Sequence, residues 1–129
     1  MNRFSVWGPA AAWAAVLFLL SAVPDLRAGS GFGIPYGDKF GHFVLYGVLG
    51  VALAWGRNRA PGVIPHVLLL ALGALYGISD EFHQMYVPGR QPDFVDWIAD
   101  VVGLSIGYGT MLAVLGRLQY AKEVKESLQ

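Results

Sequence analysis

The chain has 129 residues, of which 55% are hydrophobic and 14% are charged, and its formal net charge is zero. Ordinary soluble domains contain about 25% charged residues, so this composition argues against a soluble domain, and the neutral balance gives no sign of a nucleic-acid partner. The chain has no cysteine, which excludes disulfides and thiolate metal ligands. The length predicts a single domain, residues 1–129.

Apolar segments recur along the chain, and they predict helices at about 6–23, 40–56, 63–84 and 94–116. A membrane-spanning helix needs about 20 apolar residues. We therefore predict an all-α fold, an integral membrane four-helix bundle, followed by a short tail at 117–129. A soluble bundle is the alternative, but soluble helices keep a polar face that these segments lack. The first segment could also be a signal peptide, although "VPDLRAG" offers no good cleavage site after it.

Basic residues predict how the bundle is oriented. Six of the nine lie on one side, namely Arg3, Arg57, Arg59, Arg117, Lys122 and Lys125, and three lie in the remaining loops, namely Arg27, Lys39 and Arg90. Since cytoplasmic loops carry the excess of Lys and Arg, both termini are predicted to be cytoplasmic. The other end of the bundle then faces outward.

One stretch at that outer end, "YGISDEFHQMYVPGRQPDFVDWIAD" at 76–100, holds five of the nine acidic residues. Within it the acids follow a helical face that glycines continue inward: Asp93, Asp96, Asp100, Gly103 and Gly107, spaced 3, 4, 3 and 4. Two further helices repeat this arrangement, with Lys39, His42, Tyr46 and Gly50 on one, and with Gly73 and Gly77 leading to Asp80, Glu81 and Gln84 on the other. Small residues at such spacing mark contacts between membrane helices, so the polar groups are predicted to converge between the helices.

The stretches "DKFGHFVLYGVLG" and "YGISDEFHQMYVPGRQPDFVDWIADVVGLSIG" resemble the VanZ-like family, small bacterial membrane proteins named for a teicoplanin-resistance protein. The motif positions in this chain are Lys39, His42, Glu81, Gln84, Pro88-Gly89-Arg90, Asp96, Asp100 and Gly103. The resemblance covers the last three helices, and Asp100 stands where many members carry Asn. It implies a multi-pass protein of the bacterial plasma membrane, linked to the cell envelope and to glycopeptide susceptibility.

The candidate site residues have alternative interpretations. Glu81 and Asp96 would be the acid/base pair if the protein is an enzyme; otherwise they belong to a polar network that orients helices. The candidate binding residues are Lys39, His42, Gln84, Arg90 and Asp100. Arg90, directed by the Pro-Gly turn, could clamp a phosphate or pair with Asp93 or Asp96.

The other polar residues also have purely structural explanations. Lys39 could extend to the lipid headgroups, and His42 could donate a hydrogen bond to Glu81 or Asp96. Asp93 is a good helix N-cap, with Asp96 as its partner in a capping box.

We expect no cofactor and no metal. His42, Glu81, Asp96 and Asp100 have the donor types that suit a divalent cation, but the chain lacks a compact His-x-x-x-His motif.

Function has two leading interpretations. In the first, an outward-facing pocket binds a membrane lipid phosphate or a lipid-linked cell-wall precursor and influences teicoplanin susceptibility. In the second, the protein is a membrane enzyme acting on a phosphorylated or acylated lipid. A proton or ion carrier is less favoured, because the acids lie at one end only. The small-residue faces also allow a homo-oligomer.

Overall fold

The computed structural model describes residues 3–24, 37–60 and 62–129, with side chains from residue 5 onward. It contains four helices, α1 Arg3–Ser21, α2 Gly37–Arg59, α3 His66–Gln84 and α4 Phe94–Ser127, and no strand in the described ranges. The all-α prediction is therefore confirmed. Arg27, which enters the orientation prediction, lies outside the described residues.

The fourth helix is longer than its apolar part. α4 has 34 residues and continues through 117–127, the segment predicted to be either a short solvated helix or a frayed tail. No Gly or Pro interrupts that segment, and Lys122 and Glu126 form an i,i+4 ion pair at 3.7 Å, which suits a solvated helix. The polar end is thus an extension of α4.

Glycine sets the closest packing in the molecule, between α2 and α4. A Cβ atom on Gly103 would overlap the carbonyl of Phe43, and one on Gly107 would overlap the carbonyl of Gly47. From the other side, a Cβ on Gly50 would meet the backbone of Leu104. The predicted small-residue faces of these two helices are confirmed, because the backbones approach more closely than any side chain would permit.

The other two helices pack onto this pair through aromatic anchors. From α1, Trp13 Nε1 donates to the Leu45 carbonyl of α2 at 2.8 Å. Trp97 Nε1 of α4 donates to the Ala74 carbonyl of α3 at 3.0 Å. The buried core between the helices is small and consists of two groups: Leu17, Tyr46, Leu49 and Leu104 in one, and Ala54, Leu69 and Tyr108 in the other.

Many apolar side chains are exposed on the surface of the helix bundle. On α3 the exposed residues follow one helical face, and the same holds on α4: Leu68, Leu72, Leu75 and Phe82 on the first, Val95, Ile98, Val102 and Ile106 on the second. Continuous apolar stripes of this kind are unusual on soluble monomers. Two helices, Gly37–Arg59 and Phe94–Ser127, are long and apolar enough to cross a membrane, and Ser5–Ser21 is a shorter apolar helix.

Candidate functional site

The site lies where the first turns of α2 and α4 meet the last turn of α3. The α2–α4 glycine contact begins next to it, since Gly103 follows Asp100 by three residues and Phe43 follows His42 directly. Close backbone approach therefore brings the polar ends of the two helices together. The acids that are adjacent in the helical register of α4 consequently face the basic residues of α2.

Lys39 is the central cation of the cluster. Its Nζ donates to Asp96 Oδ1 at 2.7 Å and to Asp93 Oδ2 at 2.8 Å, and it lies 3.6 Å from Asp38 Oδ2. The Lys39 side chain is 21% exposed. The structure thus differs from the expectation that Lys39 extends to the headgroups, because two carboxylates within reach bind its ammonium more strongly than a distant surface does.

His42 connects α2 to the deepest acid of α4. Its Nδ1 lies 2.9 Å from Asp100 Oδ1, and its Nε2 lies 3.7 Å from Asp96 Oδ2. The expected partners of His42 were Glu81 or Asp96, whereas the structure gives Asp100 as its hydrogen-bond partner. The reason is register: His42 and Asp100 lie one turn deeper than Lys39 and Asp96 on their respective helices.

The N-terminus of α4 is capped by two different carboxylates. Asp93 Oδ1 accepts a hydrogen bond from Val95 N–H at 2.8 Å, so the predicted N-cap is confirmed. The predicted capping box is wrong in its second partner: the Asp93 N–H donates to Glu81 Oε2 of α3 at 2.8 Å. Asp96, which was expected there, is drawn toward Lys39 instead.

Asp93 itself has a pKa below its ordinary value. The hydrogen bond from Lys39 contributes most, and the hydrogen bond from the Val95 N–H follows, because both favour the charged carboxylate. The Asp93 side chain is 43% exposed. This carboxylate is therefore the outermost member of the ionic network.

Arg90 is placed by a tight turn, as predicted. Its N–H donates to the Val87 carbonyl at 3.1 Å, and Gly89 has a φ of 76°, a conformation that favours glycine. The expected ion pair with Asp93 or Asp96 does not occur among the described residues. Arg90 Nη2 contacts the Leu20 carbonyl of α1 at 3.5 Å, because Lys39 already occupies both acids.

Two adjoining cavities meet at the same side chains. A polar cavity of about 280 Å³ is lined on one side by Asp38, Asp93 and Asp96 and on the other by Gln91. An apolar cavity of about 220 Å³ is lined by Leu17, Leu20, Leu45 and Tyr46. His42, Gln84 and Arg90 line both cavities. Three of the five candidate binding residues thus lie at the border between a polar and an apolar space, whereas Lys39 and Asp100 line neither cavity.

Several buried polar atoms in this region have no hydrogen-bond partner among the described residues. They are Asp80 Oδ1, Glu81 Oε1, Arg90 Nε and Asp100 Oδ2. Asp100 is fully buried, and Asp80 and Glu81 are 7% and 8% exposed. Buried polar groups are nearly always paired in folded proteins, so this concentration distinguishes the site from the rest of the molecule.

Sequence reasoning omitted two acids from its candidate list. Asp38 lines the polar cavity next to Lys39. Asp80 lies in the apolar cavity, where the Tyr46 hydroxyl donates to it at 3.4 Å. The helical register held a signal for Asp80, because it follows Gly73 and Gly77 on the packed face of α3.

The fold and the site define a class of small all-α proteins in which an ionisable cluster lies between apolar helices, two of them able to span a membrane. Within that class the chain belongs to the VanZ/LLP1 family, whose sequence model matches residues 4–115. The family resemblance seen in the sequence is therefore confirmed.

A curated relative comes from the fission yeast Schizosaccharomyces pombe. It is an uncharacterized protein, 26% identical over 114 residues, and the match covers 88% of this chain and 65% of the relative. The chain thus spans slightly less than two thirds of that protein. No solved structure matches the chain significantly.

Proposed function

We propose that this protein is a multi-pass membrane protein that binds a phosphate-bearing lipid, or a lipid-linked cell-wall precursor, in its polar site. All four helices span the bilayer, both termini are cytoplasmic and the site faces outward in the bacterial plasma membrane. Exposed apolar stripes on α3 and α4 support the membrane location. The excess of Lys and Arg at the opposite end supports the orientation.

The adjoining cavities carry the proposal. A lipid phosphate has a charged head and an apolar chain, and the site offers a polar cavity and an apolar cavity that share His42, Gln84 and Arg90. Among the residues that the structure describes, Arg90 Nε has no hydrogen-bond partner and Nη2 makes only a long contact to a carbonyl. Its guanidinium is therefore available for a phosphate, the anion that its planar set of donors matches best.

Binding of such a ligand would also explain a link to teicoplanin. Glycopeptides act on lipid-linked precursors at the outer leaflet. A protein that binds lipid phosphates there alters the access of glycopeptides to these precursors. Susceptibility of cells to teicoplanin, compared between strains with and without the protein, tests this part of the proposal. Equal susceptibility in both strains would remove the glycopeptide link and leave lipid binding to its own test.

A direct binding experiment tests the pocket. Fluorescent phosphatidic acid in detergent micelles is titrated with purified protein, and the matching diacylglycerol without phosphate serves as the probe control. We expect saturable binding that requires the phosphate and weakens about tenfold or more in Arg90→Gln. Arg117→Gln, which removes an exposed arginine from the distant part of α4, keeps full binding. Equal binding of both lipids would contradict the proposal.

One observation favours the enzyme as a second candidate. Glu81 Oε1 has no hydrogen-bond partner among the described residues and is therefore free to accept a proton from a bound substrate or water, whereas Asp96 is engaged by Lys39. An enzyme would release phosphate or fatty acid from the bound lipid, and Glu81→Gln would stop the release without preventing binding. Saturable binding without product would reject this alternative.

A further inference from the structure

Three helices bring one imidazole and two carboxylates together below the Lys39 ion pairs. His42 from α2, Glu81 from α3 and Asp100 from α4 each offer one ligand atom, and these atoms all lie within 4.8 Å of one another. Atoms bound to a common cation at about 2.0–2.6 Å lie within about 4–5 Å of each other. We propose that His42, Glu81 and Asp100 bind one divalent transition-metal cation such as Mn²⁺ or Zn²⁺.

Two unsatisfied oxygens support the site independently of this spacing. Asp100 is fully buried and its Oδ2 has no partner among the described residues. Glu81 is 8% exposed, and its Oε1 also has no hydrogen-bond partner among the described residues. Each carboxylate already uses its other oxygen, Asp100 toward His42 and Glu81 toward the Asp93 N–H. The remaining two oxygens therefore stay free for a cation.

The local charge balance also favours an added cation. Among the described residues, and with His42 neutral as a metal ligand must be, Lys39 and Arg90 face six carboxylates of the site, which are Asp38, Asp80, Glu81, Asp93, Asp96 and Asp100. A buried charge without a partner is strongly destabilising. One divalent cation would offset half of this excess.

The donor set indicates the kind of metal. One imidazole nitrogen with carboxylate oxygens and no sulfur suits Mn²⁺ or Zn²⁺ better than soft cations such as Cu⁺. His42 Nδ1 lies 2.9 Å from Asp100 Oδ1, so a cation bound at Nδ1 would replace that contact, while Nε2 has Asp96 Oδ2 at 3.7 Å. A carboxylate near the second nitrogen is the usual outer partner of a metal-bound histidine, since it orients the ring.

The third carboxylate of the set suggested by the sequence, Asp96, has a different role. Asp96 Oδ1 is taken by Lys39 at 2.7 Å, so Asp96 lies outside the proposed ligand set. Three protein ligands leave open coordination positions, as in sites that bind a further molecule. His42 also lines the polar cavity, so these positions are adjacent to the space proposed for the phosphate. The metal site does not depend on that lipid.

The test uses the full chain in detergent, stripped with a chelator and dialysed against Mn²⁺ or Zn²⁺ alone. Elemental analysis is expected to find one cation per chain, and thermal unfolding is expected to shift upward with cation concentration. Asp100→Asn and Glu81→Gln should each weaken binding about tenfold or more. Asp38→Asn is the matched control, because Asp38 lines the polar cavity that His42 also lines but is not a ligand.

The unmutated protein provides a second measurement that does not depend on how the variants fold. Electron paramagnetic resonance of the Mn²⁺-loaded chain should show coupling to one nitrogen, which comes from His42. Clearly substoichiometric metal, absence of nitrogen coupling, or equal affinity in Asp38→Asn and a folded Asp100→Asn variant would each overturn the proposal. The lipid titration, performed with chelator present, decides the proposed function separately.

Discussion

Replacing Gly103 with Ala tests the packing that assembles the site. The added Cβ would overlap the Phe43 carbonyl, with the carbonyl carbon at 2.8 Å and Cα at 2.9 Å. Real Cβ atoms essentially never come that close to such atoms. The obstacle is backbone, which cannot rotate aside as a side chain does, so α2 and α4 must separate.

The magnitude follows from two opposing effects. Overpacking costs about 1–3 kcal/mol, and a rigid backbone obstacle puts Gly103→Ala near 3 kcal/mol. Alanine gains about 1 kcal/mol over glycine in a helix interior. The expected net loss in the free energy of unfolding is therefore about 2 kcal/mol. The separation also weakens the pairs of Lys39 with Asp96 and of His42 with Asp100, so Mn²⁺ binding should fall as well.

Gly109→Ala provides the matched control on the same helix. Nothing lies within 4 Å of a Cβ at Gly109, so only the helix propensity acts and stability rises by up to about 1 kcal/mol. Unfolding of both variants in mixed micelles, followed by circular dichroism against the SDS mole fraction, measures the difference. If Gly103→Ala is as stable as Gly109→Ala, the close contact between α2 and α4 is not present.

Further predictions concern the ion pairs, the cap and the orientation. Lys39→Gln should lower the free energy of unfolding by about 1–3 kcal/mol, because it leaves Asp96 buried without its cation while solvent partly screens Asp93; an unchanged SDS midpoint would contradict this. Asp93→Ala should cost about 1 kcal/mol more than Asp93→Asn, which retains a capping oxygen, measured by the same unfolding. With single cysteines, an impermeant maleimide added to intact cells should label Gln91→Cys and spare Asn58→Cys; the reverse pattern would invert the proposed orientation.

Helical register made much of the site predictable. Lys39 and His42 on one helix and Asp96 and Asp100 on another follow spacings of three and four, so their sharing of a face required only the period of the helix. The glycines at 103 and 107 indicated which face meets a neighbour. Convergence of the four side chains could therefore be predicted without knowing the loops.

Pairing between helices was less predictable, because several partners lie within reach of each group. The loop between α3 and α4 contains Arg90 and Asp93, and the first turn of α2 contains Lys39. The sequence does not say which cation reaches which acid. The outcome depends on the axial offset of α2 against α4, which places Lys39 between two acids. Glu81 as the acceptor for the Asp93 N–H depends likewise on the offset of α3. Such offsets between helices depend on tertiary packing, which local sequence patterns do not specify.

The division of the site between helices has a mechanical consequence. α2 and α4 share the most extensive interface in the fold, so His42 and Asp100 form a rigid frame, whereas Glu81 stands on a separately packed helix. Eight residues along α3, about 12 Å from Glu81 at 1.5 Å per residue, Gly73 faces the flexible end of Leu104, which can yield. A larger residue at position 73 would press on Leu104, and the part of the displacement that Leu104 does not absorb would tilt α3 and change the reach of Glu81 toward His42 and Asp100. Affinity at the site can thus be tuned from the middle of the bundle by side chains that touch no ligand.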